Sequence, residues 1–62
     1  MEIDIEKLRS DLIDYYGSLA QFYPSAYLEV SRIENASYDE VVRIALSNGF
    51  DLSKYQITRK LY

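Results

Sequence analysis

Apolar positions recur at steps of three and four through most of this 62-residue chain, the spacing of helical stripes. The first stripe runs Ile5, Leu8, Leu12, Tyr15/Tyr16, Leu19 and Phe22/Tyr23. Asp4 precedes it as an N-cap, whose carboxylate accepts a bond from a free N–H of the first turn. Ile3 and Leu8 flank that cap with the spacing of a hydrophobic staple. Gly17 is the weak point, costing about 1 kcal/mol relative to alanine in a helix interior. It either kinks the helix or lets another helix approach closely. Pro24 sets the end, because the residue before a proline is pushed away from helical angles. Tyr23 is therefore expected to be the turn, and Pro24 the first position of the next helix.

The second stripe is Ala26/Tyr27, Val30 and Ile33, with Glu29, Arg32 and Glu34 turned to water. The third segment, Ser37 to Tyr55, carries the strongest punctuation. Ser37 and Glu40 form the Ser-x-x-Glu pattern of a capping box, and Ala36 and Val41 its staple. Asp39 favours the positive end of the helix dipole and lies four residues before Arg43. Val41, Val42, Ile44, Ala45 and Leu46 are apolar on more than one side, so this helix is expected to be the most buried. Asn48-Gly49 closes it, with Gly49 in the left-handed conformation and Phe50 folding back near Ile44 or Ala45. Asp51 then caps a short final turn. The remaining ITRKLY either extends that turn or frays.

The pattern predicts an all-α, compact three-helix domain (about 4–22, 24–34 and 37–48) with a short fourth helical turn (about 51–56). The short joints between elements fit consecutive helices in a bundle. The expected core is Ile5, Leu8, Leu12, Leu19, Phe22, Val30, Ile33, Val41, Ile44, Ala45, Phe50 and Leu52. Residues 1–62 read as one domain, with 57–62 as a frayed tail in one version of that reading.

Composition narrows the chemistry. There is no cysteine and no histidine, so no disulfide staples the fold and a zinc-held core is ruled out. Ser-His-Asp and Cys-His catalysis are ruled out with them. Asp11 with Asp14 and Asp39 with Glu40 are paired acids, but acids on helices ordinarily form a solvated face or a dipole partner. No calcium-loop pattern and no glycine-rich phosphate loop is present. The sequence assigns no catalytic, cofactor-binding or metal-binding residue, and no cofactor is expected. The N-terminus lacks the basic start and apolar run of a signal peptide, and no apolar stretch approaches the ~20 residues that span a bilayer. A soluble cytoplasmic protein without membrane contact is the expectation.

Charge and aromatic content supply two candidate surfaces. Tyr15, Tyr16, Phe22, Tyr23 and Tyr27 cluster around the first helix–helix joint. A small domain needs such bulk in its core, yet neighbours on a helix cannot both point inward. Some of this aromatic surface must be exposed, and tyrosine is enriched at protein interfaces. Tyr15, Tyr16, Tyr23 and Tyr27 are thus the candidate interface, for a protein partner or a homodimer. The second surface follows from charge. The net charge is −3, which disfavours generic nucleic-acid binding. Residues 1–51, however, hold ten acids and four bases, while residues 52–62 hold Lys54, Arg59 and Lys60 and no acid. Ala45, Gly49, Phe50 and Tyr55 have spacings used in helix-turn-helix motifs. Leu52 to Lys60 would then be the second helix, presenting Lys54, Gln56, Thr58, Arg59 and Lys60 to phosphates and base edges. Three bases neutralise few phosphates, so this DNA-binding regulator is the alternative. The leading expectation is a non-enzymatic protein-interaction module.

SYDEVVRIALSNGFDLS resembles the helix-stop segment of small Nif11-type leader-like domains. More fully, DLIDYYG, the Tyr-Pro-Ser-Ala run and ENASYDEVVRIALSNGFDLSKY resemble small uncharacterised proteins carried on conjugative transposons of Gram-positive gut anaerobes. That likeness covers most of the chain. Its most specific element is the Asn-Gly-Phe-Asp-Leu stop after the capped helix. It implies a stand-alone helical protein of a mobile element, and it supplies no catalytic or ligand residues.

Overall fold

A computed structural model describes residues 2–57. The chain forms three α-helices and a 3-10 turn: α1 (Ile5–Leu19), α2 (Ala26–Glu34), α3 (Tyr38–Ser47) and the turn Leu52–Tyr55. The all-α three-helix architecture read from the stripes is the observed one.

α1 starts as its cap dictates. The Lys7 backbone N–H donates to Asp4 Oδ1 at 3.2 Å. Ile3 and Leu8, on either side of the cap, are both buried in one cluster. The helix passes through Gly17 without interruption. A Cβ built there meets nothing within 4 Å, so Gly17 neither breaks the helix nor seats a neighbour. The end comes earlier than the stripe predicts. After Leu19 the backbone tightens: Phe22 N–H donates to Leu19 O at 3.0 Å, and Tyr23 N–H to the same oxygen at 2.8 Å. The buried residue here is Ala20, and Phe22 stands in solvent rather than in the core. The reason is local. Pro24 holds Tyr23 away from helical angles, so the stripe stops before it reaches Phe22.

α2 also starts later than expected. Pro24 lies in a turn ahead of the N-cap, Ser25, rather than at the first helical position. Ser25 makes no side-chain capping bond. Instead the entry is tightened by Tyr27 N–H to Pro24 O and Leu28 N–H to Ser25 O, both 3.1 Å.

α3 keeps its punctuation with one change. Glu40 N–H donates to Ser37 Oγ at 3.4 Å. The Glu40 carboxylate accepts from Arg32 at 3.1 Å and lies 3.6 Å from Arg43. It therefore ties α3 to α2, and it takes Arg43 in place of Asp39. At the far end Gly49 has φ +77°. Phe50 N–H donates to Ala45 O at 3.0 Å and Gly49 N–H to Leu46 O at 3.1 Å, the paired bonds of a Schellman motif.

The core is Ile3, Leu8, Leu12, Ile33, Val41 and Ala45, with Ile5, Ile13, Tyr16, Ala36, Ile44, Phe50, Leu52 and Tyr55 packed around it. Leu19 and Val30 are half-buried. α1, not α3, is the central helix, since it packs against α2, α3 and the 3-10 turn alike. α3 leaves Tyr38 and Leu46 exposed. Its apolar residues outnumber those one neighbour can cover.

Residues 2–4 and 55–57 meet. Asp4 N–H donates to Tyr55 O at 2.7 Å and Ile57 N–H to Glu2 O at 2.9 Å. Between them Ile3 and Gln56 pair as an antiparallel bridge. Gln56 is extended, with ψ 131°. This corrects the second helix read over Leu52 to Lys60: it closes at Tyr55, because the backbone of 55–57 is committed to residues 2–4. Among the described residues no helix is long and apolar enough to cross a membrane.

Candidate protein interface

The tyrosines divide into two groups. Tyr15 and Tyr16 belong to an aromatic contact between α1 and the end of α3. Tyr15 meets Tyr16 edge-on at 5.2 Å between ring centres, and Phe50 edge-on at 5.7 Å. Such edge-to-face pairs add about 0.5–1.5 kcal/mol beyond burial. The Tyr16 hydroxyl accepts from Asn48 Nδ2 at 2.8 Å, and the same nitrogen donates to Ile44 O at 2.8 Å. Asn48 thus caps α3 and locks Tyr16 to it. Tyr16 is taken up in packing, while Tyr15 keeps an exposed edge.

Tyr23 and Tyr27 form the second group, at the α1–α2 joint. They are 65% and 62% exposed, and Phe22 and Leu28 beside them are 77% and 74% exposed. Four large apolar side chains thus face water within seven consecutive residues. Phe22 and Leu28 extend the tyrosine set read from the sequence. The signal for Phe22 was its place just before Tyr23-Pro24, where a helix stripe cannot continue. Leu28 had only the weaker signal of lying off the Ala26–Val30–Ile33 stripe. Residues 10–31 contain Asp11, Asp14 and Glu29 and no lysine or arginine; Lys7 pairs with Asp11 and Arg32 with Glu29, while Asp14 enters no ion pair among the described residues.

The body's four bases are all engaged. Arg9 reaches from α1 to the C-terminal end of α2, where Nη1 donates to Ile33 O at 2.7 Å and Ala36 O at 2.9 Å. It satisfies carbonyls that the helix end leaves open and opposes the negative pole of the dipole. Lys7 pairs with Asp11 at 3.5 Å, and Arg32 and Arg43 with Glu40.

A polar cluster fastens the 3-10 turn. The Tyr55 hydroxyl donates to Asp11 Oδ2 at 2.5 Å, and Lys7 Nζ lies 5.5 Å from the Tyr55 ring centre. The bond lowers the Asp11 carboxyl below its ordinary value; desolvation opposes it, and Lys7 adds a lesser lowering. The same bond pushes the Tyr55 phenol up to about 12. Asp51 is lowered as well, by accepting from the Ser53 hydroxyl and backbone N–H.

Of the residues considered for nucleic-acid contact, Lys54 is exposed on the 3-10 turn and Gln56 is paired with Ile3. Thr58, Arg59 and Lys60 lie outside the described residues. Among the described residues no three acids converge to hold a metal ion. Compared with known proteins, the chain matches no family model, no curated protein and no solved structure.

Proposed function

We propose that this chain is a non-enzymatic protein-interaction module of the cytoplasm that self-associates through the aromatic α1–α2 joint. The observation that carries this reading is the exposure of Phe22, Tyr23, Tyr27 and Leu28 on consecutive turns. Scattered apolar residues on a surface need no explanation, but a contiguous group of this size on a small domain marks a contact site. Aromatic side chains supply most of the energy in such contacts. The joint is anchored from behind by buried Ala20 and Ala26, so its rings project from a fixed backbone rather than from a floppy loop.

Sedimentation across a concentration series tests this. The wild-type chain is expected to form oligomers, and Phe22→Ser/Leu28→Ser to remain monomeric with unchanged helix content by circular dichroism. Both changes fall on exposed side chains, so the core is untouched. Equal association by wild type and variant would overturn the reading.

A further inference from the structure

Resting on that reading, we infer that the aromatic joint of one copy docks on the same joint of a second copy, in a two-fold contact that closes as a dimer. Three observations converge on this occupant. The first is charge. Residues 15–28 carry no charged side chain, in a chain whose residues are 27% charged and whose net charge is −3. In a two-fold contact each surface meets its own copy, so an acidic surface would set carboxylate against carboxylate. The joint's own stretch brings no such pair. On α3 the exposed apolar side chains lie among charges, Tyr38 beside Asp39 and Leu46 one turn after Arg43. Docking the rings there would take charged groups out of water, a cost that joint-on-joint contact avoids.

The second is hydrogen bonding. Gln21, Tyr23, Ser25 and Tyr27 are all exposed at the joint. An amide or a hydroxyl both donates and accepts, so each of these groups can bond its own counterpart across a two-fold axis. An ionised carboxylate only accepts and an ammonium only donates, so neither can. The polar groups among residues 21–28 are thus all of the self-complementary kind.

The third is size and order. A whole aromatic side chain buries about 150–250 Å². At their exposures, Phe22, Tyr23, Tyr27 and Leu28 therefore present roughly 500 Å² per copy. Two copies would bury about 1,000 Å² together, where specific interfaces begin. The backbone beneath them is already bonded, Ala26 N–H to Tyr23 O at 2.8 Å and Tyr27 N–H to Pro24 O at 3.1 Å, so association has little chain left to order. The dimer belongs at the weak end of the scale and dissociates on dilution.

Paired charge reversal tests the assignment. Phe22→Glu/Leu28→Glu and Phe22→Lys/Leu28→Lys put like charges on the joint. At about 0.05 M salt each variant alone is expected to associate at least about tenfold more weakly than the wild-type chain, with unchanged helix content by circular dichroism. Their equimolar mixture is expected to sediment as a heterodimer. If either double variant loses helix content, Leu28→Glu and Leu28→Lys carry the same test. The wild-type dimer is expected to hold or tighten between about 0.05 M and about 0.5 M salt, because screening relieves only the repulsion of two acidic bodies. A lysine variant that associates alone as well as the wild type, while the glutamate variant does not, would mean that the joint meets an acidic surface; the assignment is then overturned and the self-association stands. Two monomeric variants whose mixture stays monomeric overturn the assignment, as does a wild-type chain that grows beyond a dimer. If both variants associate as the wild type does, or the wild-type chain is monomeric throughout, the assignment falls together with the self-association on which it rests.

Discussion

The two glycines carry opposite roles at the same cost. At Gly49 the backbone has φ +77°, where a Cβ is strained by about 1–2 kcal/mol. Gly49→Ala is therefore expected to lower stability by roughly that amount in a denaturant titration. Gly17 is in regular helix with open space around its Cα. Gly17→Ala is expected to raise stability by up to about 1 kcal/mol, and a loss instead would mean that a neighbour needs the gap. Sequence made Gly49 legible because its signal is local: a helix pattern, Asn-Gly, then Phe. It left Gly17 open, since only the packing says whether anything approaches it. Tyr55 depends on pH. Asp11 is lowered in the fold, so the bond contributes stability above the ordinary carboxyl value of 3.8. That contribution is lost as pH falls through the lower folded value. Tyr55 is raised from 10.0 to about 12, so its share is present below 10.0 and lost as pH rises toward 12. Tyr55→Phe is expected to be less stable than wild type at neutral pH, and the gap between their melting temperatures to narrow well below pH 3.8. A gap that is constant with pH would remove Asp11 as the partner.

At the scale of elements, caps were readable and joints were not. Asp4, Ser37 and Asp51 all accept the bonds their positions imply, because a cap needs only residues two or three apart. The α1–α2 joint was drawn too tight, with helix assigned up to Phe22 and again from Pro24. A stripe counts apolar residues and does not say which of them find a neighbour. Arg9 shows the same gap. Its guanidinium closes the end of α2 across 24 and 27 residues of sequence, and nothing near Arg9 announces it. Arg9→Met keeps the aliphatic stem and removes the donors. It is expected to cost about 1.5–3 kcal/mol, the range for a charged hydrogen bond. Arg9→Lys, a point charge without the fork, is expected to recover only part of that. If Arg9→Met unfolds at the wild-type denaturant concentration, Arg9 does not fasten α1 to α2. The terminal pairing was equally hidden. A single bridge between Ile3 and Gln56 leaves no alternation long enough to read as strands.

The described molecule is an acidic helical body in which residues 55–57 are tied back beside residues 2–4. Chains this short bury only roughly 60% of their unfolded surface, and this one has no cysteine with which to staple itself. It is notable, then, that four of its largest apolar side chains stay outside the core at one joint. Their exposure is the central fact that a function has to use. Amide shifts of the labelled wild-type chain, recorded over a dilution series, test that use most directly. Concentration-dependent shifts are expected at residues 22–28, with the interior of α3 around Val41 and Ala45 unmoved. Shifts that are absent at every concentration, or that appear on α3 and spare the joint, would contradict the account.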